Sequence, residues 1–328
     1  MLFLNRNEVE ALLDLDQLIE AMSPAMVALS KGALSMPPRI AAMVSEHSGL
    51  LGVMPVYAKH TKILSTKLVS VFPNNATTNL PVHQALVVVF DSSTGTPLAV
   101  MDGTFITAMR TAAASALATQ LLARPDADVL TIIGAGVQGR AHARLIPRVR
   151  TVREVRIIEP NNQRAKQLAQ AVSTEFGIPV ESGLSCQDAM KGCGIVCIAT
   201  SSKEPVVMGK WLKPGVHLNS VGLNPHGREL DAETIMKSRL VVESRQAALA
   251  DGPGGANDLT WPIRDGLITA DHIHADVGEI ILGTREGRRS REQITLYKSV
   301  GVGVQDAVAA QLVLSAAQQN GVGLEVAL

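Results

Sequence analysis

A chain of 328 residues is long enough for two domains and a large buried core. Its 30 Lys and Arg balance 30 Asp and Glu, so charge gives no reason to expect a nucleic-acid or anionic-membrane partner, and a small-molecule protein is the expectation. No apolar run reaches the roughly 20 residues that span a bilayer, and the acidic amphipathic start MLFLNRNEVEALLDLDQLIEAM lacks a basic n-region, so a cytoplasmic location is expected.

The first periodic segment, EVEALLDLDQLIEAMSPAMVALSKG, carries apolar residues at helical spacing and ends in a glycine suited to a C′ position. It predicts a helix or a pair of helices. Beyond it, β-type runs such as STKLVSVF and HQALVVVF are separated by the turn-rich PNNATTNLP and DSSTGTP, which predicts a mainly antiparallel sheet covered by those helices. Three cations interrupt segments that otherwise read as core or turn: Arg39 in MPPRIAA, Lys67 in STKLVSVFPNN and Arg110 in MDGTFITAMRTAAASA. Lys67 shares its alternation parity with Ser65, Val69 and Val71 and so projects from one strand face. A lysine there either reaches water or meets an anion. A planar guanidinium suits a carboxylate, and a desolvated lysine can give or take a proton. Taken singly, each reads as a surface or structural cation; beside a nicotinamide site they point together to an amino-acid-like or keto-acid-like substrate. No acidic residue falls between Glu46 and Asp91, which disfavours a substrate with a cationic side chain.

An alanine-rich helix, RTAAASALATQLLARP, ends at a Pro and Asp turn, and the domain boundary is placed beside Pro125. Strand and helix then alternate: DVLTIIG, QGRAHARLI, EVRIIE, NQRAKQLAQAVSTEFG, followed by GIVCIAT, VHLNSVG and RLVVES. This pattern predicts an α/β fold with a parallel, doubly wound sheet. The final ITLYKSVGVGVQDAVAAQLVLSAAQQNG reads as a glycine-broken strand and an apolar helix that return to the first domain. The expected domains are therefore 1–124 with 296–328, and 125–295. Cys186, Cys193 and Cys197 read as reduced core residues. His272 and His274 offer at most two ligands on one strand face, so no metal site is expected. DGPGGANDLTWP, which includes Trp261, reads as a flexible loop.

TIIGAGVQGRAH places Gly134, Gly136 and Gly139 after a strand and at the opening of a helix, in the G-x-G-x-x-G arrangement of a dinucleotide site. The first glycine permits the turn, the second lets backbone approach a pyrophosphate, and the third lets helix and strand pack closely. Free N–H groups at the helix start then face the phosphates. Glu159 ends the next strand about 20 residues beyond the last glycine, the spacing at which an acid meets the ribose hydroxyls. A carboxylate there favours NAD over NADP, and Arg164 reads as a solvated helix-face residue.

At this point the motifs MPPR, KLVSVFPNN, LPVHQALVVVFDSSTGTPLAVMDGTFITAMRTAAASA, IIGAGVQG, GLNPHGRELD, GEIILG and KSVGVGVQD together resemble the ornithine cyclodeaminase and mu-crystallin family over nearly the whole chain. The resemblance implies a Rossmann domain plus an α+β domain that forms the substrate floor and a homodimer interface, with the nicotinamide between domains. It implies that Arg39, Lys67 and Arg110 hold the substrate carboxylate and that Lys67 handles a proton. It assigns cofactor contacts to the loop Gly134, Gly136, Val137, Gln138 and Gly139, to Glu159, to Thr200 and Ser201, and to Val300 and Gly301. Asn224 stands where ornithine cyclodeaminases look to have an aspartate; an asparagine is neither a general base nor a negative charge for ornithine's amine, although it can still hydrogen-bond or only shape the turn before Pro225. Asp102, Glu229, Asp231 and Asp306 are alternative acids, of which Asp231 can cap a helix at AETIMKS.

The expected function is an NAD(P)-dependent oxidoreductase acting on the C=N or CH–NH of a small α-imino or α-amino acid. The alternatives are an ornithine cyclodeaminase with tightly held NAD and a non-catalytic ligand-binding protein.

Overall fold

Two helices follow the first strand because two side chains start them. After β1 (Leu2–Leu4), Asn5 caps α1 (Arg6–Leu12) and Asp14 caps α2 (Leu15–Ser30), each accepting two backbone N–H groups of the first turn. α2 buries Leu15, Leu18, Ile19, Met22 and Met26 on one stripe, and Gly32 beyond its end takes φ +64. The computed structural model describes residues 1–222 and 226–327, so Asn224 lies outside the described residues. Among these residues no helix is long and apolar enough to cross a membrane.

The next strands are β2 (Leu34–Ser35), β3 (Ile40–Val44), β4 (Gly49–Ala58), β5 (Ile63–Val71), β6 (His83–Phe90) and β7 (Pro97–Asp102). β4 to β7 pair antiparallel in succession, and β1 joins β7 in parallel, so the sheet is mainly antiparallel as expected. Alternation sorts its faces. Met54, Val56, Ile63, Ser65, Lys67, Val87 and Val89 are buried on one side, while Leu51 and Leu86 are exposed on the other.

α3 (Gly103–Leu122) is buried nearly all round, which its run of alanines permits because small side chains let neighbours approach on every side. The second sheet follows. β8 (Val129–Ile133) leads through α4 (Val137–Leu145) to β9 (Glu154–Ile158), then through α5 (Asn162–Phe176) to β10 (Val180–Ser182). Next come α6 (Cys186–Ala189), β11 (Ile195–Ile198), β12 (His217–Ser220), α7 (Ala232–Lys237) capped by Asp231, β13 (Ser238–Val242), α8 (Arg245–Ala248), α9 (Asn257–Arg264), β14 (Ile273–Asp276), α10 (Val277–Ile281) and β15 (Ile294–Lys298).

All of these strands pair in parallel, in the order β10-β9-β8-β11-β12-β15-β13-β14. The first five reproduce the 3-2-1-4-5 part of the order of a doubly wound dinucleotide fold, with the switch point between β8 and β11; the sixth place is taken by β15, the last strand of the sheet in chain order. Every residue of β8, β11 and β12 is buried, as a parallel sheet with both faces covered requires. The chain closes with α11 (Gly303–Asn320), which packs on β4, β5 and β6, and with β16 (Leu324–Glu325), antiparallel to β1.

Contacts divide the chain into two units, Met1–Arg110 with Gly301–Leu328, and Thr111–Val300. Composition changes at Pro125, where the sequence reading puts the boundary; the contacts change inside α3. One further difference concerns a loop. The glycine-rich stretch before Trp261 folds into a turn of 3-10 helix, Gly252–Gly254, and into α9, where Asp258 is buried. The three cysteines are unpaired, and burial pushes the Cys193 and Cys197 thiols up to about 11 and about 12.

Candidate functional site

In the second unit the structure itself requires glycine at two of the three loop positions. Gly134 takes φ +97, and a Cβ there would lie 2.5 Å from Ala199 O. A Cβ at Gly139 would lie 1.8 Å from Gly134 O and 3.2 Å from Ile132 Cγ2, so the helix meets the strand at backbone distance. Gly136, the N-cap of α4, has nothing within 4 Å of a Cβ position. That open side, at a helix start placed on the switch point, is what a phosphate approaching the backbone needs. Val137 beside it is 63% exposed, while Gln138 Oε1 is buried and accepts no hydrogen bond among the described residues.

Glu159, just beyond β9, is half-buried and accepts the backbone N–H of Ala135 at 2.9 Å and of Asn161 at 3.0 Å. It therefore ties the glycine loop to the end of β9, where it can also accept from ribose hydroxyls. Arg164 is exposed on α5, and its backbone N–H serves the Asn161 cap. Thr200 follows β11 and gives both its N–H and its hydroxyl to Glu229; Ser201 beside it is exposed. Val300 is buried and donates its N–H to Glu243 Oε2 at 2.9 Å.

In the first unit, Lys67 from β5, Arg110 from α3 and Asp306 from the first turn of α11 meet in the interior, each 5% exposed or less. Lys67 Nζ donates to Asp306 Oδ1 at 2.9 Å and to Thr107 Oγ1 at 3.4 Å. Arg110 Nε donates to the same Oδ1 at 3.1 Å, and its Nη1 to Gln305 Oε1 at 2.8 Å. Two cations thus share one carboxylate, which leaves a buried excess of one positive charge among these three groups. Arg39 joins them through the turn before α11, where its Nη2 donates to Gly301 O at 2.6 Å. Gly301 takes φ +73, and a Cβ there would lie 2.5 Å from Arg110 Nη1. The turn can lie against the guanidinium only as glycine. The resemblance assigns Gly301 to the cofactor; its contacts here are with Arg39 and Arg110.

The electrostatics follow from this crowding. Burial, then the charges of Arg110 and Arg39, pull the Lys67 ammonium down to about 8, with Asp306 opposing. Burial would raise the Asp306 carboxyl, but Arg110 and Lys67 outweigh it and hold it below its ordinary range. His83, on the same sheet face as Lys67, is lowered to about 4 by burial and by the Lys67 and Arg110 charges, so it is neutral at physiological pH.

The sequence reading identified the three cations but not their common partner. Asp306 appeared only among several alternative acids, and Thr107, Gln305 and His83 not at all. The available signal was chemical: a lone carboxylate opening the apolar helix GVQDAVAAQLVL must find a buried cation.

The sequence profile of the ornithine cyclodeaminase/mu-crystallin family matches residues 1–321. The ketimine reductase mu-crystallin of Mus musculus is 39% identical over 316 residues, covering 95% of this chain and 96% of that protein. The structure of Thermococcus litoralis Δ1-pyrroline-2-carboxylate reductase in complex with NADH and L-proline superposes with a TM-score of 0.95, at 39% identity, over 99% of this chain and 100% of that one. An archaeal alanine dehydrogenase dimer with bound NAD gives a TM-score of 0.92 at 31% identity, over 100% of this chain and 99% of that one.

Removing the shared carboxylate strands two buried cations. Asp306→Ala is expected to cost about 3–5 kcal/mol of unfolding free energy, measured by urea denaturation. A loss under about 1 kcal/mol would show that the cluster behaves as an exposed ion pair.

Proposed function

The chain belongs to the ornithine cyclodeaminase/mu-crystallin family, and we propose that it is an NAD(P)-dependent imine reductase acting on the C=N bond of a small α-imino acid, such as a cyclic ketimine carboxylate. The observation that carries this reading is the buried positive excess around Asp306: Lys67 and Arg110 together need an anion beyond the one carboxylate they share. The substrate's carboxylate supplies it, and Arg39 adds a second guanidinium to the same cluster. The glycine loop, with Glu159, fits a dinucleotide by its open Gly136 and its exposed helix start. When bound, the reduced nicotinamide supplies the hydride that adds to the imine carbon.

Lys67 is the group suited to supply the proton that accompanies hydride addition. Its lowered pKa places it near the operating pH, where a general acid transfers protons best. Asp306 opposes the lowering and favours the protonated lysine, and the planar guanidinium of Arg110 holds the carboxylate. Neutral His83 adds no further charge. Ornithine fits less well, because among the described residues of this cluster the buried carboxylate is already committed to two cations and has no charge left for a terminal ammonium. Thr200, Ser201 and Val300 stand at the second sheet as the cofactor's expected neighbours, and Asn224 is kept as a candidate hydrogen-bonding residue. Glu159 favours NAD, since its carboxylate accepts from a free 2′-hydroxyl and repels a 2′-phosphate.

The proposal includes a homodimer. The sheet face opposite α11 exposes Leu51 (47%) and Leu86 (44%), and Ile40 beside it is 68% exposed, an apolar strip that a second copy of the chain would cover. The archaeal alanine dehydrogenase neighbour is a dimer.

Three outcomes follow. NADH absorbance should fall when the protein meets Δ1-pyrroline-2-carboxylate or Δ1-piperideine-2-carboxylate, and Lys67→Met should lower kcat at least about 100-fold; ammonia release from ornithine without net nicotinamide change would instead establish the cyclodeaminase. Because the acid is the protonated lysine, reduction should decline as pH rises through about 8, the limb set by Lys67, and a profile flat from pH 7 to 10 would refute its role. Light scattering should report a dimer that Leu51→Lys with Leu86→Lys converts to monomer.

A further inference from the structure

A second buried ionic cluster lies in the second unit, and nothing in the reaction above uses it. Lys298 ends β15, is 0% exposed, and places Nζ 2.7 Å from Asp258 Oδ2, 3.0 Å from Ser220 Oγ, 2.9 Å from Gly222 O and 3.9 Å from Glu229 Oε2. Glu229, 1% exposed, receives four donors: Thr200 N at 2.6 Å and Thr200 Oγ1 at 2.9 Å on Oε1, Ser220 Oγ at 3.0 Å and Gly222 N at 2.8 Å on Oε2. Asp258 Oδ1 accepts the N–H groups of Glu229 at 2.8 Å and Leu230 at 2.9 Å. Burial pushes the Glu229 carboxyl up, with Lys298 opposing. Four converging donors are the coordination of an ionised carboxylate, which has acceptor sites and no proton of its own to place.

The positions of these donors matter more than their number. Thr200 follows β11 and Ser220 and Gly222 follow or end β12, so Glu229 joins two turns at the carboxyl edge of the parallel sheet, the edge where open α/β sheets bind ligands. The first of those turns touches the glycine loop: a Cβ at Gly134 would lie 2.5 Å from Ala199 O and 3.2 Å from Thr200 Cγ2. The second is fitted to Glu229 itself, since a Cβ at Gly222 would come 2.2 Å from its Cδ. A buried ion cluster stabilises a fold no better than apolar side chains of the same volume. What it supplies is fixed turn geometry without reorganisation when a ligand arrives.

We propose that Glu229, anchored by Lys298 and Asp258, is a positioning residue for the dinucleotide, holding the turn after β11 in place against the glycine loop and tying it to Ser220 and Gly222 at the end of β12. This rests on reading the second unit as a dinucleotide site. The carboxylate does not touch the reacting atoms; it acts through Thr200 and Gly222.

The test is NADH affinity measured by calorimetry without substrate, alongside thermal unfolding of the unliganded protein. Glu229→Gln keeps the size of the side chain but turns one acceptor oxygen into a donor that faces N–H and O–H groups. We expect NADH to bind about tenfold more weakly, while KM for the imino acid at saturating NADH stays within about twofold of wild type. Thr200→Val and Ser220→Ala, each removing one hydroxyl donor from the cluster, should weaken NADH in the same direction and carry the test if Glu229→Gln does not fold. Lower unfolding temperatures with unchanged NADH affinity in the folded variants would overturn the proposal and leave a structural cluster only. A wild-type chain that binds neither NADH nor NADPH would overturn the dinucleotide reading itself, a result separable from the first because it precedes any substitution.

Discussion

One carboxylate oxygen organises the first unit. Asp306 Oδ1 receives both Lys67 Nζ and Arg110 Nε, and three elements that are far apart in sequence, β5, α3 and α11, each deliver one member of that trio. Burying a lysine and an arginine costs several kcal/mol apiece unless a partner is at hand. The return of the C-terminal helix to the N-terminal sheet is therefore an electrostatic requirement as well as a packing one. Asp306 sits in the first turn of α11, where the helix dipole also favours a negative charge.

The same economy explains why the cluster is not electrically closed. One carboxylate against two cations keeps a positive excess in a buried interior: burial first, then the Arg110 and Arg39 charges, lowers the Lys67 ammonium, and burial together with the Lys67 and Arg110 charges suppresses protonation of His83. A second acid beside Asp306 would balance the charge of this core and remove that excess. Gly301 shows how closely the surroundings are fitted, since the turn that presents its carbonyl to Arg39 passes against Arg110 with no room for a side chain.

The second unit solves a different problem with related means. A parallel sheet buried on both faces exposes its functional groups only at strand ends, so precision there depends on turns. Backbone contact does this at the glycine loop, where Gly134 and Gly139 approach each other. Charge does it at the neighbouring turns, where Glu229, Asp258 and Lys298 collect backbone and hydroxyl groups that have no strand partner.

Much of this was legible in sequence. Period-two and helical patterning marked the strands and helices of both units, the spacing of Gly134, Gly136 and Gly139 marked the tight turn between β8 and α4, and strand parity set the face from which Lys67 projects. These are local facts, determined by neighbours within a few residues. What the sequence could not determine was pairing at long range: that Lys67 and Arg110 share the carboxylate of Asp306, that Gly301 lies against Arg110, and that Asp258, in a stretch read as a flexible loop, is a buried counter-ion of Lys298. The unit boundary was hidden likewise, because α3 continues through it without a break in composition. Helical and strand periodicity is written in each segment's own side chains, whereas the partner of a buried charge is chosen by which elements the fold packs together, and only the tertiary structure decides that.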